Sequence, residues 1–439
     1  MVEKFPSVNL SPCPLLCSIS EACDLVSPKL GRHHKMVAFI AGALGRMLGL
    51  KEMGLQELVM AALVHDIGGL SLRRRLEVFN FEFTRPAPHT LPGYVLLKGF
   101  GPFAEIARLV RYHHVYWQYG SGREQSHEQV PWRSHIIHLA DRVAIQIDPD
   151  VEILSQKRGI VDRIKENSGR MFVPEQVEAF VELAESDVFW FEVDSHELEQ
   201  ILYENFPLPA LEIERHQLLD LAEMFRRLID FRSRFTATHS SGVAAVAAVL
   251  AEKAETGGLD GRKLHMAGLL HDIGKLVVPA EILDKQQPLV RDDFAVIRKH
   301  PYYSHRILRC IEGFGDISQW TALHHERLDG SGYPYRKKAA ELPVGARILA
   351  AADTFTALTE DRPYRCGISG PATETILADM VVYHKLDEDF VGLIRDNLEE
   401  ISHICKKTQA EADYLHGLFL EECRLLGTEA DMDEGCPGL

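Results

Sequence analysis

Two thirteen-residue runs set the pattern of the whole chain. Leu58–Leu70 reads LVMAALVHDIGGL and Leu264–Leu276 reads LHMAGLLHDIGKL, with nine of the thirteen aligned positions identical. In each, apolar residues recur at helical spacing up to a His-Asp pair, and a glycine follows. This predicts a buried helix that delivers the pair at its C-terminal end, where glycine lets the chain turn away. Helical periodicity holds almost throughout from about residue 21, and strand signals are few. The expected fold class is all-α: two tandem helical bundles joined by a helical linker.

The repeat extends well beyond these runs. The first copy orders His33, His65, Asp66, His89, His113, His114 and Asp141. The second orders His239, His271, Asp272, His300, His324, His325 and Asp353. Offsets run 206, 206, 211, 211 and 212 through His33/His239, His65/His271, His89/His300, His113/His324 and Asp141/Asp353. Ordered polar residues at such steady offsets mean a tandem duplication. Residues 1–20 contain proline and cysteine and are expected to be irregular. The first unit is expected over 21–192. Its end is marked by Phe172-Val173-Pro174-Glu175 with Val177 and Phe180, which parallels Leu386-Asp387-Glu388-Asp389 with Val391 and Ile394. A linker over 193–232 carries Pro207, Pro209 and an amphipathic helix at Leu218–Phe231. The second unit is expected over 233–405, and residues 406–439 hold a last helix and an acidic tail.

Composition narrows the functional classes. Hydrophobic residues at 46% and charged residues at 26% are ordinary for a globular chain. A net charge of -16 argues against DNA or RNA as the main partner. No apolar stretch approaches the roughly 20 residues that span a bilayer, and no signal peptide opens the chain, so a cytoplasmic protein is expected. Cys13, Cys17 and Cys23 crowd the N-terminus. Reduced thiols are the plainer reading of them, beside a metal or iron–sulfur role.

Seven imidazoles and carboxylates in order, twice, point to metals. Mixed nitrogen and oxygen donors suit iron, manganese, nickel or zinc, whereas all-oxygen sites favour magnesium or calcium. The carboxylate of a His-Asp pair can bridge two cations. Two metals about 3.5–4 Å apart clamp a phosphoryl group for in-line attack. One lone histidine would read as a satisfied core residue; a repeated ordered set does not.

The second copy resembles a known family. His271–Lys275 (HDIGK), His324–Pro334 (HHERLDGSGYP), Arg347–Asp353 (RILAAAD) and Asp361–Arg365 (DRPYR) are similar to the signature of HD-GYP proteins, a branch of the HD metal-dependent phosphohydrolases. The match covers roughly 233–400. It implies a bacterial phosphodiesterase of a cyclic dinucleotide, cyclic di-GMP or cyclic GMP-AMP, with two divalent metals, iron or manganese ahead of nickel, zinc or magnesium. By the same resemblance His239, His271, Asp272 and Asp353 hold one metal, and Asp272 bridges to a second held by His300, His324 and His325. Lys275 would contact the phosphate beside the nucleophile. Arg362 and Arg365 would grip the distal phosphate, and Gly332, Tyr333 and Pro334 would shape the pocket mouth. Phe235 stands where some members place a third-metal Glu. Gly242, Thr356 and Ser304 replace a common Arg, Asp and Gly; none of them removes a ligand.

The first copy keeps every ligand type and loses the rest. Gly69 stands for Lys275, and His113–Arg123 (HHVYWQYGSGR) lacks the Tyr-Pro. Three readings stay open: a second phosphohydrolase for a nucleotide or linear dinucleotide, a regulatory ligand sensor, or a partner that holds two further metals for stability. Trp117 and Tyr119 would stack on a base or pack locally. For the whole chain the opposing reading is a non-catalytic cyclic-dinucleotide receptor, with a general nucleotidase as a third. The helix at 218–231 offers a homodimer element or packs within the monomer.

Overall fold

The computed structural model describes residues 8–25, 31–69, 81–82, 89–125, 127–230, 238–254, 260–285, 287–361, 366–368 and 370–426. They divide into two compact units, one within residues 11–211 with 421–426, the other within 212–420 with 8–10. Both are helical. The described strands are the antiparallel pair Glu124–Gln125 and Glu128–Gln129, and Val8–Leu10 paired with Leu211–Ile213 where the second unit begins.

In the N-terminal unit the helices are α1 (Pro12–Asp24), α2 (His33–Met47), α3 (Glu52–Leu63), α4 (Thr90–Lys98), α5 (Ala104–Arg111), α6 (Trp132–Ala144), α7 (Ile153–Glu166), α8 (Pro174–Leu183), α9 (Asp187–Asp194) and α10 (Leu198–Asn205). Helix α2 is the spine. It packs on α3, α6 and α8, and it buries Val37, Ile40 and Leu44 completely. From Pro12 onward the N-terminal stretch is helical, where its prolines suggested irregular chain, and residues 1–7 lie outside the described residues. Pro12 stands in the first turn of α1, where a missing N–H costs nothing, and Leu15, Leu16, Ile19 and Ala22 bury one face. Cys13, Cys17 and Cys23 are buried on this helix, with the first two sulfurs 4.0 Å apart. No cysteine joins a metal-competent group among the described residues.

The expected linker 193–232 splits between the units. Helix α10 lies against α2, and Phe206 fills the space beside Gly42, so residues up to 211 belong to the first bundle. The amphipathic helix forms as α11 (Arg215–Asp230) and buries Leu221, Phe225 and Leu228 in the second. There it packs on α13 (Gly261–Leu270), so its apolar face is used inside the unit.

The C-terminal unit continues with α12 (His239–Lys253), α13, α14 (Ala280–Leu283), α15 (Arg291–Ile297), α16 (His300–Leu308), α17 (Gly315–Leu323), α18 (Val344–Thr359), α19 (Gly370–Val382), α20 (Glu388–Asp396) and α21 (Leu398–Leu426). Its centre is α12 against α13 and α18. Alanines and glycines make this crossing tight: Val243, Ala244, Val246, Ala247, Leu270, Ala351 and Ala352 are all fully buried. The break expected at 405/406 falls inside α21, a single helix that buries Ile401, Cys405 and Ala412. No described helix is long and apolar enough to cross a membrane.

Candidate metal centres

Each His-Asp pair sits where its helix stops. Helix α13 ends at Leu270 and α3 at Leu63, so His271-Asp272 and His65-Asp66 emerge from buried helix ends. The glycine after the pair has another task than the expected turn. Gly274 and Gly68 do not adopt positive φ. Instead a Cβ on Gly274 would lie 1.9 Å from the His300 carbonyl oxygen, and one on Gly68 would lie 2.1 Å from that of His89. Only glycine lets the start of the next ligand-bearing helix come this close. Ser304 ties the same joint. It accepts a hydrogen bond from Gly274 N at 2.9 Å and donates to His271 O at 2.7 Å.

The structure brings the seven predicted residues of the second copy together. His239 Nε2 is 3.0 Å from Asp353 Oδ1, and His271 Nε2 is 3.2 Å from Asp272 Oδ2. Asp272 Oδ1 is 3.3 Å from His300 Nε2, so one carboxylate faces both halves of the cluster. His300 and His324 meet Nε2 to Nε2 at 3.3 Å, and His325 Nδ1 lies 3.6 Å from Asp353 Oδ2. Three groups hold ligand atoms mutually within 4.8 Å: His239, His271 and Asp353; His271, Asp272 and His324; and His300, His324 and His325.

Backbone carbonyls orient most of these rings. His271 Nδ1 donates to Gly268 O, His300 Nδ1 to Ile297 O and His324 Nδ1 to Thr321 O, at 2.7, 2.8 and 2.6 Å. A carbonyl can only accept, so each Nδ1 carries the proton and each Nε2 lone pair faces the cluster. Burial pushes His300 down to about 3 and His324 to about 4, so both rings are neutral at pH 7. Burial works against the charge of Asp272, but His271 and Lys275 outweigh it and hold the carboxyl well below its usual range. Neutral His300 and His324 beside an ionised Asp272 are in the protonation state a divalent metal requires.

Lys275 and the loop after His325 line this cluster. Lys275 Nζ donates to Asp272 Oδ2 at 2.5 Å. Tyr333 lays its ring 4.8 Å from that of His325, and Arg298 covers the same tyrosine at 4.9 Å. Gly332 fits against the Glu326 backbone, and the Tyr333–Pro334 peptide is cis. Glu326 fastens the loop. Its buried carboxylate accepts from Tyr335, Arg336 and Lys337 N at 2.6, 3.1 and 3.0 Å. Glu326 lies inside the HHERLDGSGYP run, where the sequence assigned it no role, and Arg298, two places before His300, carried no periodic signal. Arg362, Arg365 and Phe235 lie outside the described residues. Gly242 and Thr356 proved to be neighbours: a Cβ on Gly242 would meet Thr356 Cγ2 at 2.9 Å and Cys405 Sγ at 3.1 Å. Two substitutions read separately along the chain are one packing event against α21.

The first copy rebuilds the cluster with a different charge. His33 Nε2 is 3.2 Å from Asp141 Oδ1, and His89 Nε2 is 2.8 Å from Asp66 Oδ1. His89, His113 and His114 converge on Asp66, and His33 and His65 close the other half. His65 and His113 donate from Nδ1 to Ala62 O and Val110 O at 2.8 and 2.6 Å. His65 Nε2 is buried without a hydrogen-bond partner, an orphan that a metal would satisfy. Asp141, however, is held by a fully buried arginine: Arg142 Nη2 donates to its Oδ2 at 2.5 Å and Nε at 3.2 Å. Thr354 occupies the matching position of the second copy. Trp117 packs on His135 and under Arg123, while Tyr119 is exposed, so neither lies against the imidazoles.

The comparisons agree with this duplicated architecture. HD domain models match residues 30–145 and residues 223–387. The 3'3'-cGAMP-specific phosphodiesterase 1 of Vibrio cholerae serotype O1 is 30% identical over 393 residues, 87% of this chain and 90% of that protein. The chain belongs to the HD-GYP family of metal-dependent phosphohydrolases. Two further HD-GYP relatives show how far the likeness runs. The 3'3'-cGAMP-specific phosphodiesterase 3 of the same organism is 30% identical over 60% of the chain and 59% of its own length. A cyclic di-GMP phosphodiesterase of Pseudomonas aeruginosa is 38% identical over 30% of the chain and 32% of its own length. A crystal structure of a cyclic GMP-AMP specific phosphodiesterase of V. cholerae superposes with a TM-score of 0.60 over 90% of this chain and 98% of that one. Its 22% identity makes that a likeness of fold. HD domains bind divalent metals, and both clusters here have the donor set for it.

Proposed function

We propose that the C-terminal centre hydrolyses a phosphodiester bond of a cyclic dinucleotide, with 3'3'-cGAMP preferred over cyclic di-GMP. The observation that carries the chemistry is Lys275 at 2.5 Å from Asp272, inside a buried cluster of five imidazoles and two carboxylates. A fixed ammonium beside the reacting phosphoryl group stabilises the charge that grows there. His239, His271, Asp272 and Asp353 would hold one metal, and His300, His324 and His325 with Asp272 the other; iron or manganese fits these donors best. Bound there, the metals supply Lewis acidity to the phosphoryl group and to the attacking water. Tyr333 walls the site, and Arg362 and Arg365 suit the far phosphate as guanidinium clamps. The base preference rests on the relatives. Those similar over 87% and 60% of the chain are cGAMP-specific enzymes, whereas the cyclic di-GMP enzyme of P. aeruginosa matches over 30%.

Arg142 favours a separate reading for the N-terminal centre. With Gly69 in place of Lys275 and a guanidinium on Asp141, it keeps the metal donors without the cyclic-dinucleotide contacts. It acts on a smaller substrate such as the linear product, or it regulates. The test is a time-resolved product assay with manganese or iron on the parent, His271→Ala/Asp272→Ala and His65→Ala/Asp66→Ala. Loss of ring opening in the first variant alone supports the assignment. Accumulation of linear dinucleotide in the second makes the N-terminal centre a second enzyme. Parent protein that binds metal and nucleotide yet never opens the ring is a receptor.

A further inference from the structure

Among the described residues, His239 is the one imidazole of the C-terminal centre with a carboxylate against each ring nitrogen. Its Nδ1 faces a side chain, unlike those of His271, His300 and His324, whose Nδ1 atoms donate to the carbonyl three residues back. Its Nδ1 lies 3.0 Å from Glu360 Oε2, and its Nε2 lies 3.0 Å from Asp353 Oδ1. Glu360 caps α18, the helix that also carries Asp353, and it is buried to 7% exposure. Gln409 of α21 reaches the same oxygen at 3.5 Å. A buried carboxylate costs several kcal/mol of desolvation unless it is paired, so its placement against one ring nitrogen calls for a reason. The first copy shows what its absence looks like. The residue matching Glu360 at the 212 offset is Asp148, which is exposed and accepts from Asp150 N at 3.0 Å within its own turn.

We propose that Glu360 is the positioning residue of the C-terminal centre: it accepts the Nδ1 proton of His239 and so fixes the tautomer and ring plane that aim Nε2 at the metal. This rests on the reading of His239 as a metal ligand. A carboxylate behind a ligating imidazole also raises its donor strength, and removing such a partner typically weakens metal binding about 10–100-fold. Glu360 thereby gives His239 what main-chain carbonyls give His271, His300 and His324, with a full negative charge added.

The test is manganese affinity of the full chain by calorimetry, in a His65→Ala/Asp66→Ala background so that only the C-terminal centre is counted. Glu360→Ala should bind about 10–100-fold more weakly, with Glu360→Gln between it and the parent because its amide oxygen still accepts the proton. Turnover of Glu360→Ala should recover in saturating manganese, which a loss of packing alone would not do, and nitrogen NMR of His239 in Glu360→Ala should show loss of the Nδ1–H tautomer. If Glu360→Ala does not fold, Glu360→Gln decides alone. Parent-like affinity in the Glu360 variants, with His239→Ala impaired, overturns the positioning role and leaves the metal reading standing. Parent-like affinity in His239→Ala overturns the metal reading itself.

Discussion

Gly274→Ala should cost the C-terminal centre the metal that His300 helps to hold. The added Cβ would sit 1.9 Å from His300 O and 2.5 Å from Ser304 N, both main-chain atoms that no rotamer change can move. Real Cβ contacts essentially never fall under 3.0 Å, so the start of α16 must retreat by at least 1.1 Å. Metal–ligand distances tolerate about ±0.2 Å, so His300 would leave the coordination range. The hydrogen bonds that Ser304 makes to Gly274 and His271 are strained by the same movement. Overpacking of this kind costs about 1–3 kcal/mol of stability, and a misplacement near 1 Å costs about 100-fold in turnover. The assay is thermal melting, manganese stoichiometry in the His65→Ala/Asp66→Ala background, and cGAMP turnover. Gly261→Ala is the control, because its nearest neighbours stand at 3.6 and 3.8 Å. Full metal occupancy and unchanged turnover in Gly274→Ala would refute the argument that this approach sets the ligand.

Other outcomes follow from the same geometry. Lys275→Ala should lower kcat by about 100-fold or more, as loss of one transition-state donor does, with metal content by elemental analysis unchanged. Arg142→Thr should tighten manganese binding at the N-terminal centre, read in a His271→Ala/Asp272→Ala background, since Asp141 then gives its charge to the metal; its metal-free form should melt lower because Asp141 loses its buried partner. His135 is buried away from the ligands, with its pKa pushed down to about 4 by burial. The unfolded ring near 6.5 binds protons first, so stability present above that value is lost as pH falls from 6.5 through 4, by about 3 kcal/mol in all. His135→Leu should flatten that part of the pH–melting curve for the N-terminal unit, and an unchanged slope would rule the linkage out.

The helices and both sets of candidate ligands were legible because they are periodic or repeated. Apolar spacing found α3 and α13, and constant offsets found every imidazole and carboxylate of the two clusters. What stayed hidden depends on contacts between distant segments. Arg142 follows Asp141 in sequence, yet only the fold shows its guanidinium turned back on that carboxylate. Gly42 marks no turn; it makes room for Phe206, which is why the expected linker joined the first bundle. Glu360 lies beside the DRPYR run, and its link to His239 spans 121 residues of chain. Proline misled at the N-terminus because Pro12 suits the first turn of a helix as well as it suits a loop.

Among the described residues, carbonyls three residues back hold five of the fourteen candidate ligands. Each such imidazole takes its aim from its own helical turn, so the jig travels with the side chain. A duplicated copy can then drift at its rim, trading a lysine for a glycine or a threonine for an arginine, without first losing the arrangement of its donors. New substrates can be tried around an inherited centre, one loop at a time, because the part hardest to reinvent is encoded locally and depends least on its neighbours.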